Sequence, residues 1–583
     1  MTFHELAQVF VALTQEPSRL AMTRLLAYLF GRAIAHEAQI ICYLSLGTVR
    51  APYLGSQFNY AEKSILKVLA ALHHTSVEAY AKEVKKVGDI GLYVAQNPWP
   101  YKDHSLSIED VYNRLVKLQA ISGTGSQEEK AALLTALLKE VDAVSAGYII
   151  RIIAGKLRMG FSDMTLIDAL SWTVTGDKSL HDTIEEAYNV RADIGLIAYK
   201  LKAHGIHALK EIQPTIGTPI RPAAAERAVS AQEIIKRIGP CVAQPKLDGF
   251  RLQIHSDMRH KKPHIWFYSR NLQDMSPMFP DLTKALEHLQ VQTVIMEGEA
   301  IVYDENTQTF LPFQETVKRK RKHGIEEVLE SLPLKLFLFD LLYLNGESIL
   351  DVPHETRRAL LKKLFHHSVS PAIEVIEERI CTTAKELNDY FNEGISKGLE
   401  GIVAKRPQAS YQAGKRNFNW IKLKQTEEGH LADTIDAVIL GYYAGRGKRA
   451  VLGIGAFLIG VYNKEKDRFE TVAKVGTGLK DEQWRELKSK CDAQAVVQQP
   501  KNVLCAPALA PDVWVQPSIV VEILADNISQ SPLHTAARTD TTLGFALRFP
   551  RFIGYRPDKT PEEATTIEEI RRLYQEQFVQ RTS

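Results

Sequence analysis

Along residues 1–213, apolar side chains recur three and four positions apart, which is the spacing of one face of an α-helix. The segment AEKSILKVLAAL (61–72) follows this period. Ser107-x-x-Asp110 and Ser126-x-x-Glu129 each stand before an apolar run, as expected for capping boxes that begin helices. The pattern therefore predicts an all-α domain over residues 1–213.

The segment EIQPTIGTPIRP (211–222) interrupts this period with proline and glycine, and we interpret it as a linker. Beyond it, short apolar and β-branched runs alternate with helix-like segments such as ETRRALLKKLFHH (355–367). The strand-like runs are VQTVIMEGEAIVYD (291–304), LKLFLFDLLYL (334–344), EGIVAK (400–405) and NWIKLK (419–424). This alternation predicts a mixed α/β domain with a substantial sheet over residues 214–424.

After Lys424 the strand-like runs are joined by glycine-rich segments. They are DTIDAVILGYY (433–443), LGIGAFLIGVY (452–462), FETVAKVG (469–476) and VWVQPSIVVEIL (513–524). Short strands in close succession favour a small all-β barrel, and we assign residues 425–583 to this third domain.

Composition narrows the class of protein. The chain has 583 residues, of which 45% are hydrophobic and 24% are charged, as is usual for a soluble protein of several domains. The net charge of +3 is small, so any binding of nucleic acid must depend on clustered cations. The five cysteines form no CxxC pair, which argues against a zinc site and a disulfide framework and favours a reducing compartment.

The sequence gives no sign of export. Its start, MTFHELAQVF, lacks the charge and apolar run of a secretion signal, and no apolar stretch approaches the length of a membrane span. The run KRKRKH (318–323) has the composition of a nuclear signal, but such runs are common on solvated surfaces. We expect a cytoplasmic protein that does not bind membranes, or a nuclear one if the source is eukaryotic.

A single lysine in QPKLDGFRLQIH (244–255) raises a question of chemistry. Lys246 precedes an Asp248-Gly249 turn. The ordinary interpretation of K-x-D-G is a strand lysine that reaches into water. The alternative is a nucleophile, and this requires that burial or neighbouring cations lower the pKa of the ammonium group.

Two more lysines favour the second interpretation. Residues two apart on a strand face the same way, so Lys422 and Lys424 share a face while Ile421 and Leu423 point into a core. Adjacent cations on one face suit a phosphate between them, and they lower the pKa of a nearby lysine.

Carboxylates and aromatic rings complete the set. Glu297 and Glu299 share a face, and clustered carboxylates suit Mg²⁺. Phe337 and Phe339 lie in an apolar run, where core packing is the ordinary explanation and stacking on a base is the alternative. Together these residues are the parts of a nucleotidyl-transfer site, in which a lysine attacks the α-phosphate of a nucleoside triphosphate.

The chain resembles the ATP-dependent DNA ligases of the archaeal and eukaryotic replicative type. The similar motifs are KLDGFR (246–251), EGEAIVYD (297–304), FLFDLLYLNGES (337–348), EGIVAK (400–405), WIKLK (420–424) and LRFPRF (547–552), followed by RPDK (556–559). Further similar segments are VGDIG (87–91), AYNVRADIG (187–195) and GRGKRA (445–450). The six motifs stand in the family's order, and with the further segments the resemblance covers nearly the whole chain, which makes the match specific.

The resemblance implies roles for the nucleotide-binding residues. Lys246 would be the adenylated nucleophile, with Asp248 in the same motif. Arg251 would contact the ribose, Glu299 would hold the ribose and help bind metal, and Phe339 would stack on adenine.

Phosphates and metal would be held by further residues. Arg270 would contact the AMP phosphate or the nick, and Glu400 would bind Mg²⁺. Arg416 and Lys422 would face the phosphates with Lys424 close by. The last motif would orient the leaving pyrophosphate through Arg548, Arg551 and Lys559.

One position departs from the family. Two residues before the nucleophile the family usually has a glutamate, which accepts a hydrogen bond from the adenine amino group. Gln244 stands there instead. Its carbonyl oxygen can accept the same bond, while its amide could favour a different base edge, which leaves the preference for ATP in question.

For the whole molecule, the resemblance implies a helical DNA-binding domain (1–213), a nucleotidyltransferase domain with an ATP-grasp-like adenylation core (214–424) and an OB-fold domain (425–583). The three would encircle the duplex. With ATP and Mg²⁺, the enzyme would form a lysyl-AMP, pass the AMP to the 5′-phosphate of a nick in double-stranded DNA, and seal it in replication, repair and recombination.

Other functions stay open from the sequence. An RNA ligase or a GTP-dependent capping enzyme shares the lysine chemistry but does not account for the long helical domain, and a DNA-binding scaffold without activity does not need the intact motifs. The missing CxxC module disfavours an NAD-dependent ligase. We expect a monomer, and the absence of a clear Q-x-x-[aliphatic]-x-x-aromatic-aromatic motif leaves a sliding clamp open as a partner.

Overall fold

The computed structural model describes residues 1–583 except 56, 158, 305–308, 311–332, 367–369, 425–433, 446, 540 and 580–583. The run KRKRKH therefore lies outside the described residues. The chain divides into two compact units, Met1–Val68 with Trp99–Gln425 and Leu69–Pro98 with Thr426–Ser583. None of the described helices is long and apolar enough to cross a membrane. All five cysteines are free.

Residues 1–213 are helical, as the apolar period predicts. The helices are α1 Phe3–Gln15, α2 Arg19–Arg32, α3 Ala35–Ser45, α4 Glu62–Leu72, α5 Val77–Val87, α6 Ile90–Gln96, α7 Ile108–Ala120, α8 Ser126–Lys139, α9 Ala143–Ile153, α10 Asp163–Thr175, α11 His181–Val190, α12 Ile194–His204 and α13 His207–Lys210. Of these, α5 and α6 belong to the second unit.

Only one of the two predicted capping boxes is present. Ser107 and Asp110 form a complete box at the start of α7. The box predicted at Ser126 is wrong, because α8 already begins at Ser126 and its N-cap is Gly125. Gly125 has a φ of 78°, a left-handed conformation that glycine adopts without steric cost and that turns the chain into the helix.

The middle region is the predicted mixture of strands and helices. Its strands are β1 Ala224–Ala228, β2 Cys241–Lys246, β3 Phe250–Asp257, β4 His264–Ser269, β5 Thr293–Asp304, β6 Thr309–Phe310, β7 Leu334–Leu344, β8 Glu347–Ser348, β9 Ile373–Val375, β10 Arg379–Cys381, β11 Gly401–Lys405 and β12 Arg416–Lys424. Its helices are α14 Ala231–Ile238, α15 Pro280–Leu286, α16 His354–Leu364 and α17 Ala384–Ser396.

These strands form two sheets. One has the order β1-β12-β11-β2-β10, and the other has the order β4-β3-β5-β7-β8, with β6 beside β5 and β9 beside β7. Helices α14 and α17 cover the apolar face of the first sheet. Helices α15 and α16 cover one face of the second. The remaining faces meet around Trp420 of β12 and Leu342 of β7. Polar residues on these inner faces and in the adjoining turns are therefore the candidates for a site.

The segment interpreted as a linker is bound to the second sheet. The side-chain amide of Gln253 on β3 accepts from Ile220 N at 2.7 Å and donates to Ile220 O at 3.0 Å. The Tyr268 hydroxyl donates to Gly217 O at 2.8 Å. Proline and glycine break the helix as predicted, but the freed backbone groups find side-chain partners on β3 and β4.

The second unit is rich in strands. They are β13 Ile435–Tyr443, β14 Ala456–Asn463, β15 Arg468–Val475, β16 Ala495–Val496, β17 Val503–Leu504, β18 Val513–Val515, β19 Val520–Leu524, β20 Asn527–Ser531, β21 Gly544–Arg548 and β22 Arg551–Tyr555, with the helices α18 Asp481–Ala493 and α19 Ile567–Val579. The main sheet has the order β16-β18-β13-β14-β15-β17, with β19 beside β13 and β22. The predicted β-rich domain is confirmed, and among the described strands this path does not close on itself.

Candidate active site

Lys246 is the last residue of β2, a central strand of the first sheet. It lies opposite Gly401 of β11 in the antiparallel register. Cys241 and Ala243 of the same strand pack into the apolar core under the sheet. Since side chains alternate along a strand, Gln244 and Lys246 face the opposite, inner side. The nucleophile candidate thus stands on a rigid element and at a strand end.

The paired lysines of β12 lie on the same inner face. Ile421 and Leu423 are 0% and 4% exposed within the core, as the alternation predicts. Lys422 and Lys424 are only partly buried. Strand β11 separates β12 from β2, and Val403 of β11 is paired with both Lys422 and Gln244. The sheet therefore brings the sequence-predicted cations onto one surface.

Glu400 connects two of these cations. One carboxylate oxygen contacts the ammonium of Lys246 and the other contacts the ammonium of Lys424. Its backbone N–H also donates to Lys246 O at 3.2 Å. Gly401 permits this arrangement, because a Cβ there would lie 2.1 Å from Leu423 O. The carboxylate predicted as a metal ligand is thus also the counter-charge of the lysine pair.

The surroundings lower the pKa of Lys246. Burial is the largest cause, and the charge of Arg270 adds to it, whereas the carboxylates of Glu299 and Asp248 act in the opposite direction. The pKa of Lys422 is also lowered, by burial and by the neighbouring cations Arg416, Lys246 and Arg270. A lysine with a lowered pKa carries more of the free amine, which is the nucleophilic form.

Glu299 of β5 lies beside the same lysine. Burial raises its pKa to about 7, against the opposing charges of Lys246 and Arg251. The backbone N–H of Gly249 donates to Glu299 Oε1 at 3.2 Å. A Cβ on Gly249 would lie 2.5 Å from Ala300 O, so only glycine allows the turn after Lys246 to approach β5 this closely.

The second carboxylate of β5 has a different role. Glu297 is 1% exposed and accepts from Arg251 Nη2 at 3.1 and 2.9 Å and from the Tyr411 hydroxyl at 2.9 Å. Arg251 Nη1 also donates to Ala223 O at 2.7 Å. The pairing of Glu297 and Glu299 on one face led to the prediction of a shared metal cluster, but Glu297 is used in a buried ion pair. Glu299 and Glu400, unlike Glu297, lie next to Lys246.

The two candidate aromatic residues share one core cluster but differ in burial. Phe337 is 7% exposed and packs with Leu247, Ile301 and Ile376, which is the core-packing role. Phe339 is only partly buried. The register places Asp340 opposite Glu297 and Leu338 opposite Gly298, so Phe339 is the extra residue of a β-bulge. Bulges redirect side chains near functional sites, and this one interrupts the alternation of β7 at Phe339, whose ring lies at the border of two core clusters.

Lys405 was not singled out by the sequence. It is 1% exposed, and its ammonium lies 4.9 Å from the ring centroid of Phe339 and 4.0 Å from that of Trp420. Arg251 lies 5.5 Å from the centroid of Phe339. Two cations therefore lie against the ring of Phe339. In the sequence, the only sign of the role of Lys405 is that it lies on the inner face of the first sheet, as Lys246 and Lys422 do.

Gln244 is nearly buried, with 2% exposure. Its Nε2 donates to Glu378 Oε2 at 3.2 Å. Glu378, which the sequence did not indicate, is held by Arg358 Nε at 2.9 Å and by Lys362 Nζ at 3.3 Å. Asp248, Arg270 and Arg416, in contrast, are exposed.

The candidates in the second unit have partners within that unit. Arg551 Nη2 lies 3.0 Å from Asp526 Oδ1, and Lys559 Nζ lies 2.6 Å from Asp436 Oδ2. The guanidinium of Arg548 lies 5.4 Å from the ring centroid of Phe549. In the GRGKRA segment, Arg449 donates to the carbonyl oxygens of Gly455 and Gly476, at 2.8 and 2.9 Å.

Three family models match the chain in succession. The model "DNA ligase N terminus" matches residues 2–171, "ATP dependent DNA ligase domain" matches 222–424, and "ATP dependent DNA ligase C terminal region" matches 451–559. These ranges follow the helical, mixed and β-rich regions in order.

Similar proteins extend over the full length. A probable DNA ligase of Dictyoglomus turgidum is 45% identical over 99% of this chain and 98% of its own. DNA ligase 1 of Methanosarcina acetivorans is 38% identical over 98% and 99%. The solved structure "Pmar-Lig_PreS3" covers 94% of this chain and 99% of its own with a TM-score of 0.53 at 18% identity, which is a likeness of fold.

Proposed function

The chain belongs to the ATP-dependent DNA ligases, and on this premise we propose that Lys246 is the residue that carries the adenylate. The protein is an enzyme that uses ATP to seal nicks in double-stranded DNA. The observation that carries our assignment of Lys246 is its position between Glu400, which its ammonium contacts, and the cluster of cations that faces the same side of the sheet.

In the first step, the free amine of Lys246 attacks the α-phosphorus of ATP. The bond from nitrogen to phosphorus forms as the bond to pyrophosphate breaks. The lowered pKa of Lys246 supports this role, because it increases the fraction of free amine at neutral pH. Lys422, Lys424 and Arg416 offset the charge on the phosphate oxygens, and Arg270 adds a further cation.

The nucleoside is held by neighbouring residues. Phe339, redirected by the bulge and backed by Lys405, stacks on the adenine ring. We assign Arg251, whose Nε is buried without a hydrogen-bond partner among the described residues, to the ribose. Glu299 holds a ribose hydroxyl from the other side. Gln244 contacts the base edge.

Glu299 and Glu400 fit a magnesium site. Both supply carboxylate oxygens, the ligands that Mg²⁺ prefers, and both lie beside Lys246. Glu299 is partly buried, which raises its pKa, and a cation bound beside it would stabilise the charged form. Mg²⁺ bound there would offset negative charge on the phosphate oxygens as pyrophosphate leaves.

Two further steps complete the reaction. The AMP passes from Lys246 to the 5′-phosphate of the nick, so the nitrogen–phosphorus bond breaks and a pyrophosphate linkage forms. The 3′-hydroxyl then attacks that 5′-phosphate, which joins the strand and releases AMP. Lys422 and Arg416 serve again as the cations facing the phosphates.

The domain assignment follows the same order. Residues 1–213 bind DNA, residues 214–424 form an ATP-grasp-like adenylation core, and residues 425–583 form an OB-fold. We assign Arg548, Arg551 and Lys559 of the last domain to the leaving pyrophosphate. To bind it, these side chains would give up their present contacts with Phe549, Asp526 and Asp436.

The working form that we propose is a monomer. The substrate is nicked double-stranded DNA, and the cytoplasm is the location we propose, because relatives such as those of Dictyoglomus turgidum and Methanosarcina acetivorans come from prokaryotes. A sliding clamp remains a partner to be tested. The relatives named DNA ligase match over the full length, so the RNA ligase, capping enzyme and scaffold alternatives lose their support.

Sealing of a fluorescent nicked duplex tests the assignment. Wild type with ATP and Mg²⁺ should convert the nicked strand to full length, and Lys246→Ala should not. Lys236→Ala, an exposed lysine on α14, is the matched control and should seal as wild type does. Sealing by Lys246→Ala at the wild-type rate would remove Lys246 from the mechanism.

A further inference from the structure

The amide of Gln244 has one defined orientation. Its only neighbour within hydrogen-bond distance in the described part of the chain is Glu378 Oε2, at 3.2 Å. A carboxylate accepts hydrogen bonds and does not donate them, so the amide nitrogen must face Glu378. The carbonyl oxygen of Gln244 therefore has no hydrogen-bond partner among the described residues, although the residue is only 2% exposed.

Glu378 is itself firmly held. Arg358 Nε lies 2.9 Å from its Oε2, and Lys362 Nζ lies 3.3 Å from its Oε1. Burial raises the pKa of Glu378, but Arg358, the Gln244 amide and Lys362 outweigh burial and the pKa lies below its ordinary value. The group opposite the Gln244 amide is thus a charged acceptor at neutral pH.

Arg358, which binds Glu378, also contacts β7, the strand that carries Phe339. Arg358 is 2% exposed, and its Nη1 donates to Leu338 O at 3.3 Å, next to Phe339. The backbone N–H of Ile376 also donates to Leu338 O, at 2.9 Å. Glu378 and Phe339 are therefore tied to one segment of β7.

The two purine nucleotides differ at the position that a carbonyl acceptor would read. Adenine carries an amino group at C6, which donates, and guanine carries an oxygen there, which accepts. A fixed carbonyl oxygen bonds the first and repels the second. A glutamine free to rotate by half a turn would offer its amide to guanine instead.

We propose that Glu378 fixes the amide of Gln244 with its carbonyl oxygen toward the nucleobase, and that this makes the site select ATP over GTP. The inference rests on the proposed function of Lys246 and adds a positioning residue, Glu378, to it. A glutamate at position 244 could only accept a hydrogen bond from the base. Gln244 held by Glu378 behaves in the same way, because its amide nitrogen is already engaged.

The test measures the ratio of kcat/KM for ATP to that for GTP in labelling of the full chain by the α-phosphate. Glu378→Gln supplies a donor to Gln244 and frees its amide to rotate, so the ratio should fall at least tenfold. Glu377→Gln is the matched control, because the neighbouring Glu377 contacts the Tyr390 hydroxyl and not Gln244. An unchanged ratio in Glu378→Gln, or an equal fall in Glu377→Gln, overturns the inference.

Exchanging the amide and the carboxylate between positions 244 and 378 should restore the selectivity for ATP. In Gln244→Glu with Glu378→Gln, the new amide donates to the new carboxylate, whose second oxygen still accepts from adenine, so the wild-type ratio should return. Gln244→Glu alone places two carboxylates together and should label poorly with both nucleotides. A double variant no more selective than Glu378→Gln contradicts the inference.

Wild type gives a measurement that does not depend on the folding of variants. Purine riboside triphosphate lacks the amino group at C6, so it should label Lys246 with a kcat/KM at least tenfold below that of ATP, and equal values contradict the inference. If wild type takes no label from ATP at all, the proposed function fails, whereas labelling without selectivity removes only the role of Glu378.

Discussion

At the scale of single residues, the geometry around Lys246 depends most on Glu400. One carboxyl group faces the ammonium groups of Lys246 and Lys424, and its backbone is hydrogen-bonded to Lys246 O. Loss of its charge would leave two adjacent cations without a counter-ion, and they would separate by rotating about their side-chain bonds. The position of the lysine nitrogen is thus set by a residue 154 positions away in the chain.

Glu400→Gln should therefore lower the rate of lysyl-AMP formation roughly 100-fold or more, as for other positioned charged groups. The variant keeps the size of the side chain, so its far-ultraviolet spectrum should match wild type. Glu226→Gln on β1 of the same sheet is the control and should label normally. A rate within threefold of wild type would show that Glu400 does not position the nucleophile.

At the scale of elements, the period of apolar residues predicts which side chains of a strand lie in the core. It does not predict contacts between residues that are distant in the sequence. Alternation on β12 placed Ile421 and Leu423 in the core correctly. It could not show that Glu297 pairs with Arg251 of β3 and with Tyr411, because Tyr411 lies in the loop between β11 and β12. Nor could it show the bulge that frees Phe339, since the extra residue is defined only by the register with β5.

Helix α16 is tied to β7 by a buried ion pair. Arg357 Nε donates to Asp340 Oδ1 at 2.8 Å and Nη2 donates to Oδ2 at 3.1 Å, and both side chains are 0% exposed. The charges of Arg357 and Lys405 hold the pKa of Asp340 far below its usual range despite burial. Without the carboxylate, Arg357 would remain buried and unpaired.

Asp340→Asn should lower the free energy of unfolding of the middle domain by about 3–5 kcal/mol. The exposed pair of Lys397 and Glu393 on α17 offers the comparison, and Lys397→Ala should cost under about 1 kcal/mol. Urea unfolding of the full chain measures both. Equal costs would mean that the Asp340–Arg357 pair is not the strong link between α16 and β7.

His255 joins the 211–222 segment to β3 only when it is neutral. Its Nδ1 accepts from the backbone N–H of Gly217 at 3.2 Å, and Nε2 lies 3.0 Å from Gln253 Oε1, to which it donates. Burial lowers the pKa of His255 to about 3. A proton on Nδ1 would oppose the Gly217 N–H.

Folding should therefore weaken in mild acid. The unfolded chain takes up the proton below the ordinary pKa of about 6.5 while the folded chain resists it until about pH 3, so stability falls progressively between these values, by about 2 kcal/mol at pH 5. His255→Asn keeps an acceptor for the backbone N–H of Gly217, and it should flatten the dependence of the free energy of unfolding on pH between pH 7 and pH 5. His264→Asn on β4 is the exposed control, and parallel curves for wild type and His255→Asn would contradict the argument.

At the scale of the whole molecule, the helical, mixed and β-rich regions could all be predicted, because each has its own apolar period and the motifs occur in the family's order. The closure of the last sheet could not be predicted from strand lengths, since it depends on pairings between the ends of the path. The net charge of +3 also gives no sign of the local arrangement, in which Arg416 and Arg270 help to lower the pKa of Lys422 and Arg270 helps to lower that of Lys246.

Binding of nicked duplex should be electrostatic and independent of sequence. Contacts to phosphates release counter-ions, so affinity should fall about 1,000-fold between 50 and 200 mM salt for a protein with several phosphate contacts. Fluorescence anisotropy with two duplexes of unrelated sequence and the same nick measures this. Affinity that changes with base sequence and little with salt would contradict binding through the DNA backbone.

The central claim is that Lys246 forms a covalent adenylate, and transfer of label from ATP tests it most directly. Full-length protein is incubated with Mg²⁺ and ATP labelled at the α-phosphate, and is then separated on a denaturing gel beside Lys246→Ala. The account predicts a labelled band in wild type that is lost in Lys246→Ala and discharged when unlabelled nicked DNA is added. Label that persists in Lys246→Ala, or a wild-type protein that takes no label, would contradict it.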